Sequence, residues 1–207
     1  MGMATTTRAN QPRLWMVAGP NGSGKSTFYD STLIEDFGRS VWIINPDLLT
    51  ERIMSSEGLP LEQANLQAVK RIMVWLRASL RTHQTVGVET VLSTAKYRPL
   101  VRAAKRLGFE FRLIYIVLRS PELNVERVRL RVARGGHTVP LDRVVARFSR
   151  SLEQLPWFME QADLAYVYDN STARPKLVAE KLKTGEIVLD PEAPEVILSA
   201  IRSIAAT

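Results

Sequence analysis

Short apolar runs alternate with longer stretches of helical period along this chain. Arg13–Ala18 is an apolar run entering a glycine-rich turn, the pattern of a buried strand, and Ser26 to about Ile34 continues as a helix. Val41–Ile44 predicts a second strand, ended by Asn45-Pro46. From Leu61 to Leu80, apolar residues recur at Leu66, Val69, Met73, Leu76 and Leu80, which is helical spacing. Thr85–Val91 reads as a third strand, and Tyr97–Leu107 as a helix closed by Gly108 in an αL cap. Phe109–Leu118 is the clearest strand, and its nearly uniform apolar second half predicts burial on both faces. Ser120-Pro121 then opens a basic helix, as an N-cap followed by proline at N1. A further helix runs from Leu141 to roughly Gln154; Asp163–Tyr168 and Lys176–Leu182 read as strands, and Pro194–Ile204 as a last helix. Such alternation predicts an α/β fold, a parallel sheet of about five to six strands with helices on both faces.

Composition narrows the class. With 207 residues, 45% hydrophobic and 24% charged, the chain suits one packed domain, expected over residues 13–207 behind a disordered leader at 1–12. The absence of cysteine excludes disulfides, thiolate metal sites and a cysteine nucleophile. No apolar run approaches a membrane span and the first residues lack a signal-peptide core, so the expected address is the cytoplasm. Net charge is +7, and it is concentrated: Lys96 to Arg150 holds 14 Lys or Arg against 4 Asp or Glu. The remainder carries 14 against 17. About one third of the molecule is thus basic and the rest mildly acidic, which raises the question of an anionic partner.

The sequence Gly19, Pro20, Asn21, Gly22, Ser23, Gly24, Lys25, Ser26, Thr27 satisfies the G-x-x-x-x-G-K-[ST] pattern in full. The glycines let successive N–H groups turn toward one anion, and the following helix adds its positive end. Lys25 is expected to reach the β- and γ-phosphates of ATP or GTP, Ser26 to bind Mg2+, and Thr27 to lie near the α-phosphate. With a strand before it and a helix after it, the motif predicts a P-loop NTPase fold.

The type of P-loop protein follows from what flanks it. The strand Phe109–Leu118 ends in Arg119-Ser120-Pro121, without the acidic residue of a motor or transporter ATPase. A kinase base lies on another strand, and Asp47, after Ile43-Ile44-Asn45-Pro46, stands at such a strand end. Spacing leaves two readings of Asp47 open, catalytic base or helix N-cap. Glu89 and Thr90 close the third strand, where they can hold a polyhydroxylated acceptor or simply begin a loop. Arg127, Arg131 and Arg134 share a helix face, the turn Gly135–Pro140 with His137 follows, and then come Arg143, Arg147 and Arg150. Arginines on a helical lid would stabilise the charge of a transferring phosphoryl group, with the glycines letting the lid close; the other reading, for most of these arginines, is a solvated basic face. His137 reads as structural or as a lid contact.

Taken together, GPNGSGKST, the INPD segment, the ET pair of strand three and the basic GGH-x-VP lid resemble the zeta toxin family of P-loop kinases. The run RVARGGHTVPLDRVVARFSRSLEQL resembles its compact, stand-alone branch, and the likeness covers roughly residues 13–170. The resemblance implies Lys25 and Ser26 for nucleotide and Mg2+, Asp47 as catalytic base, and Glu89 and Thr90 against a sugar acceptor. It further implies Arg131, Arg134 and Arg147 as the lid arginines, among which spacing does not choose. The best-studied members of that family phosphorylate the 3′-hydroxyl of UDP-N-acetylglucosamine and are neutralised by an antitoxin protein. The segment Glu89-Thr90-Val91 departs from the family's glycine-rich EGT form. Two rival readings stand beside this one: a polynucleotide 5′-hydroxyl kinase using the basic segment on a phosphate backbone, and a nucleotide-gated binding module with little turnover. Aromatic platforms for single strands are sparse in the basic segment, which disfavours nucleic acid.

Overall fold

A computed structural model describes residues 11–31, 41, 43–136 and 139–205. Residues 1–10 of the expected leader, the expected end of the first helix at Ile34, Trp42, and His137 with Thr138 lie outside the described residues. Seven strands form one sheet in the order β2-β3-β1-β4-β5-β6-β7. They are β1 (Arg13–Ala18), β2 (Ile43–Ile44), β3 (Val86–Thr90), β4 (Glu110–Val117), β5 (Leu164–Asp169), β6 (Lys176–Lys181) and β7 (Ile187–Leu189). The first five in that order are parallel, as expected; β6 and β7 add an antiparallel edge. Strand β7 is three residues beyond a turn at Leu182–Glu186, too short to carry a periodic signal.

The helices are α1 (Lys25–Ser31), α2 (Pro46–Glu57), α3 (Leu61–Arg81), α4 (Arg98–Arg106), α5 (Pro121–Ala133), α6 (Leu141–Gln161) and α7 (Glu195–Ala205). Helix α2 is capped at both ends, by the Asn45 side chain and by Gly58 at φ 66°. Helix α6 continues past the expected stop near Gln154 and carries Pro156 inside it. An interior proline costs about 3 kcal/mol, and burying Leu155, Phe158 and Met159 offsets that.

Apolar residues fall on the two faces of the sheet. Leu14 and Met16 of β1 pack with Ile72 and Leu76 of α3, Leu100 of α4, Phe158 of α6 and Ile197 of α7. Trp15, Val17, Ile114 and Ile116 turn to the other face, where Phe28 of α1 covers them. Strands β1, β3 and β4 are therefore buried almost throughout, which explains their continuous apolar runs. Helices α5 and α6 share a small core of Val128, Val139 and Val144 beside the sheet. The carboxyl ends of β1, β2 and β3 open together into a cleft of about 1200 Å3, the position where ligands bind in open parallel sheets.

Candidate active site

The loop after β1 is held from three directions. Gly19 (φ 140°) approaches the neighbouring strand so closely that a Cβ there would meet the Ile116 carbonyl oxygen at 1.9 Å. From α5, the buried Asn124 donates its amide to the Asn21 carbonyl at 2.6 Å. From the end of β5, Asn170 donates to the Ser23 carbonyl at 2.8 Å, and Arg127 donates to the Asn170 carbonyl at 2.8 Å. The loop is thus tied to β4, α5 and the end of β5.

Lys25 is buried, its ammonium donating to the carbonyls of Gly19 (2.9 Å) and Pro20 (3.0 Å) and lying 3.9 Å from Glu89. Burial, and then the charge of Arg131, draw its pKa below the ordinary 10.5, while Glu89 and Asp47 pull the other way. These four charges therefore share one site.

Ser26 donates its hydroxyl to Glu89 Oε2 at 3.0 Å, and Asn45 donates its amide to the same oxygen at 3.0 Å. Through its other side-chain atom, Asn45 accepts from the N–H of Asp47 at 2.9 Å and of Leu48 at 3.4 Å. Asn45 is the cap of α2 and Asp47 stands one turn-position inside it. The capping alternative for Asp47 is thereby filled by its neighbour. The half-buried Asp47 carboxylate lines the cleft and makes no hydrogen bond among the described residues.

Glu89 and Thr90 also line the cleft, but both are buried and engaged. Glu89 faces Ser26 and Lys25. Thr90 accepts from the Leu92 N–H through its hydroxyl at 3.0 Å and from the Gly19 N–H through its carbonyl at 3.2 Å. Strand register explains this: β3 pairs with β1, so Val17 faces Glu89 and Ala18 faces Thr90, next to the exit into the P-loop.

Of the basic segment, Arg127, Arg131, Arg134, Arg143 and Arg147 line the cleft, while Arg150 bonds its own helix at Ala146. Arg147 reaches the P-loop, donating to Asn21 Oδ1 at 3.3 Å. Burial and then Arg143 lower its pKa, and the charge of Asp47 raises it. Sequence reasoning missed Asn45 as a site residue, and it missed Lys96. Lys96 lies at the cleft lip over the Tyr97 ring (4.9 Å); the surrounding protein and Arg147 draw its ammonium below the ordinary lysine value.

Comparison with known proteins places this arrangement. A family model described as AAA domain matches residues 14–155, about two thirds of the chain. An uncharacterized protein of Haemophilus influenzae is 26% identical over 145 residues, covering 66% of this chain and 97% of that protein. Among solved structures, a chain of the AvrRxo1-ORF1:-ORF2 complex with ATP superposes with TM-score 0.69 at 17% identity, over 95% of this chain and 64% of that one. This chain thus spans less than two thirds of that protein's length. The PezAT chromosomal toxin-antitoxin system of Streptococcus pneumoniae matches with TM-score 0.63 at 16% identity, over 93% of this chain and 79% of the other. The Pnkp1/Rnl/Hen1 RNA repair complex matches with TM-score 0.57 at 19% identity, over 74% and 48%. These likenesses, with the family match, bear out the expected P-loop α/β fold.

Proposed function

The chain belongs to the AAA domain family, in a zeta-toxin-like P-loop form, and from that premise we propose that it transfers the γ-phosphate of ATP or GTP to a hydroxyl of a sugar or nucleotide-sugar. The observation that carries this reading is the Asp47 carboxylate: released from capping by Asn45, it lies in the cleft within the field of both Lys25 and Arg147. Asp47 accepts the proton of the acceptor hydroxyl as its oxygen attacks the γ-phosphorus in line. The bond from that phosphorus to the β–γ bridging oxygen breaks, and the nucleoside diphosphate leaves. Arg131, beside Lys25, and Arg147, beside Asn21, offset the negative charge spread over the equatorial oxygens; Arg134 joins them from the end of α5.

Ser26 and Glu89 form an oxygen pair of the kind a hard divalent cation takes, so the residues present fit Mg2+ delivered with the nucleotide. Magnesium there would supply neutralisation between the β- and γ-phosphates. On this reading Glu89 serves the nucleotide side of the cleft, and Thr90 shapes the turn beyond it. The acceptor then rests against Asp47 and the wall of Leu61, Asn65, Val69 and Val91.

Charge favours an anionic acceptor. Seven cations line the cleft against three carboxylates, whereas a magnesium-bound nucleoside triphosphate brings only about two net negative charges. A nucleotide-sugar such as UDP-N-acetylglucosamine supplies the rest; a neutral sugar does not. The toxin-antitoxin neighbours keep an antitoxin partner within the proposal, and the RNA repair neighbour keeps polynucleotide 5′-hydroxyls on the test panel. No helix among the described residues is long and apolar enough to cross a membrane.

The test is nucleotide consumption by wild type and Asp47→Asn across UDP-sugars, free sugars, nucleosides and oligonucleotides, with product masses recorded. A phosphorylated small molecule is expected, with turnover falling roughly 10²- to 10⁴-fold in Asp47→Asn and nucleotide affinity retained. Equal turnover by the variant, or nucleotide binding with no acceptor gaining mass, overturns the assignment and leaves the binding module.

A further inference from the structure

The acceptor side of the cleft contains a strained turn. Leu92, 1% exposed, holds φ at 57°, in the left-handed region that a side chain of this size rarely occupies. Such a conformation persists only where the surroundings over-determine it, and two groups do so here. Thr90 Oγ1 accepts from the Leu92 N–H at 3.0 Å. On the other side the Val91 carbonyl accepts from the Ser151 hydroxyl at 2.7 Å.

Ser151 and Tyr115 are both fully buried, and their hydroxyl oxygens lie 2.8 Å apart. A serine hydroxyl has one hydrogen, and here Val91 takes it. The order is therefore forced: Tyr115 donates to Ser151, and Ser151 donates to Val91. Neither side chain belongs to the chemistry described above, and both are polar groups placed in a core at the usual cost of burial.

Their position explains the placement. Ser151 lies four residues after Arg147 on α6, so the two share a helix face one turn apart. One turn of that face reaches the P-loop through Arg147 and Asn21; the next reaches the acceptor turn through Ser151 and Val91. Gln154, accepting from Arg98 at 2.9 Å, adds a second tie between α6 and the elements following β3. Arg131, in the last turn of α5, and Arg134, just past its end, lie by contrast beside Gly135-Gly136.

Resting on the kinase reading, we infer that Ser151 and Tyr115 are positioning residues: through Val91 they lock the strained Thr90–Leu92 turn to the helix that carries Arg147, setting acceptor and phosphoryl-binding arginine in one register. Arg147 is then an arginine preorganised between the P-loop and the acceptor turn.

The test compares Ser151→Ala and Tyr115→Phe with Leu155→Ala, a packing control on the same helix that takes no part in the tie. Ser151→Ala is expected to raise the acceptor KM and lower kcat by roughly tenfold each, with nucleotide Kd within about twofold of wild type. Tyr115→Phe, which leaves the Ser151–Val91 bond intact, moves the same quantities less. Leu155→Ala is expected to lower Tm while leaving acceptor KM and kcat of the folded protein unchanged. Hydrogen exchange over residues 90–94 is read in parallel and is expected to quicken in Ser151→Ala but not in Leu155→Ala. If wild type phosphorylates nothing, the kinase reading falls, yet the exchange difference still supports the tie. Exchange unchanged in Ser151→Ala, or the same kinetic pattern in Ser151→Ala and Leu155→Ala, overturns it.

Discussion

Asn45 does two jobs with the two ends of one amide, and substitutions can separate them. Its oxygen caps α2 at the N–H groups of Asp47 and Leu48; its nitrogen donates to the buried Glu89 carboxylate. Asn45→Ala removes both. Asn45→Ser keeps an oxygen at the cap but is too short to reach Glu89. Loss of a cap costs about 1 kcal/mol, which in a chain of this size lowers Tm by roughly 2–4 °C. Loss of a hydrogen bond to a charged, part-buried acceptor costs about 1.5–3 kcal/mol, and Ser26 remains to hold the other side of Glu89. Thermal denaturation should therefore place Asn45→Ser above Asn45→Ala by roughly the value of the cap. Activity at limiting magnesium should fall in both by a similar factor, about tenfold, because both have loosened Glu89 beside Ser26. If Asn45→Ser keeps wild-type activity while Asn45→Ala loses it, the Glu89 bond is irrelevant and Asn45 acts only by placing Asp47.

Two further outcomes follow from single groups. Gly24 sits at φ 88° with the Asn170 amide 2.5 Å from where a Cβ would stand, so Gly24→Ala must displace the group that holds Ser23. Nucleotide affinity is expected to fall by about 30-fold, corresponding to roughly 2 kcal/mol, and Gly24→Ala with Asn170→Ala should recover part of it; a double variant no better than Gly24→Ala rejects the collision. Burial pushes the Tyr97 hydroxyl from 10.0 up to about 12, so between those values the unfolded chain has given up a proton the folded one still holds. Stability is untouched below pH 10 and falls by about 2–3 kcal/mol as pH climbs through 12; urea midpoints should decline less steeply over that window in Tyr97→Phe, and identical slopes would contradict this.

Physical constraint decided what the sequence made legible. The P-loop was readable because an anion cradle admits few residue types at few spacings, and β1, β3 and β4 because burial on both faces leaves only apolar side chains. Helix α2 announced itself less, for only Thr50 and Ile53 of its twelve residues are buried, although Asn45-Pro46 and Gly58 marked its ends. The antiparallel edge was hidden in a three-residue strand. In the site the limit was different in kind. That Glu89 closes a strand could be read locally; which wall of the cleft it faces could not. That depends on β3 lying directly beside β1 with Glu89 level with Val17, which turns the carboxylate to Ser26, 63 residues away, and brings Asn45 across to it from β2. A strand end predicts the edge of the sheet where chemistry gathers, but neighbour order and register decide which side chains each residue meets there. Asp47 illustrates the same point from the other side. Its cap reading closed only when Asn45 took the cap, leaving a carboxylate in the cleft within the field of Lys25 and Arg147.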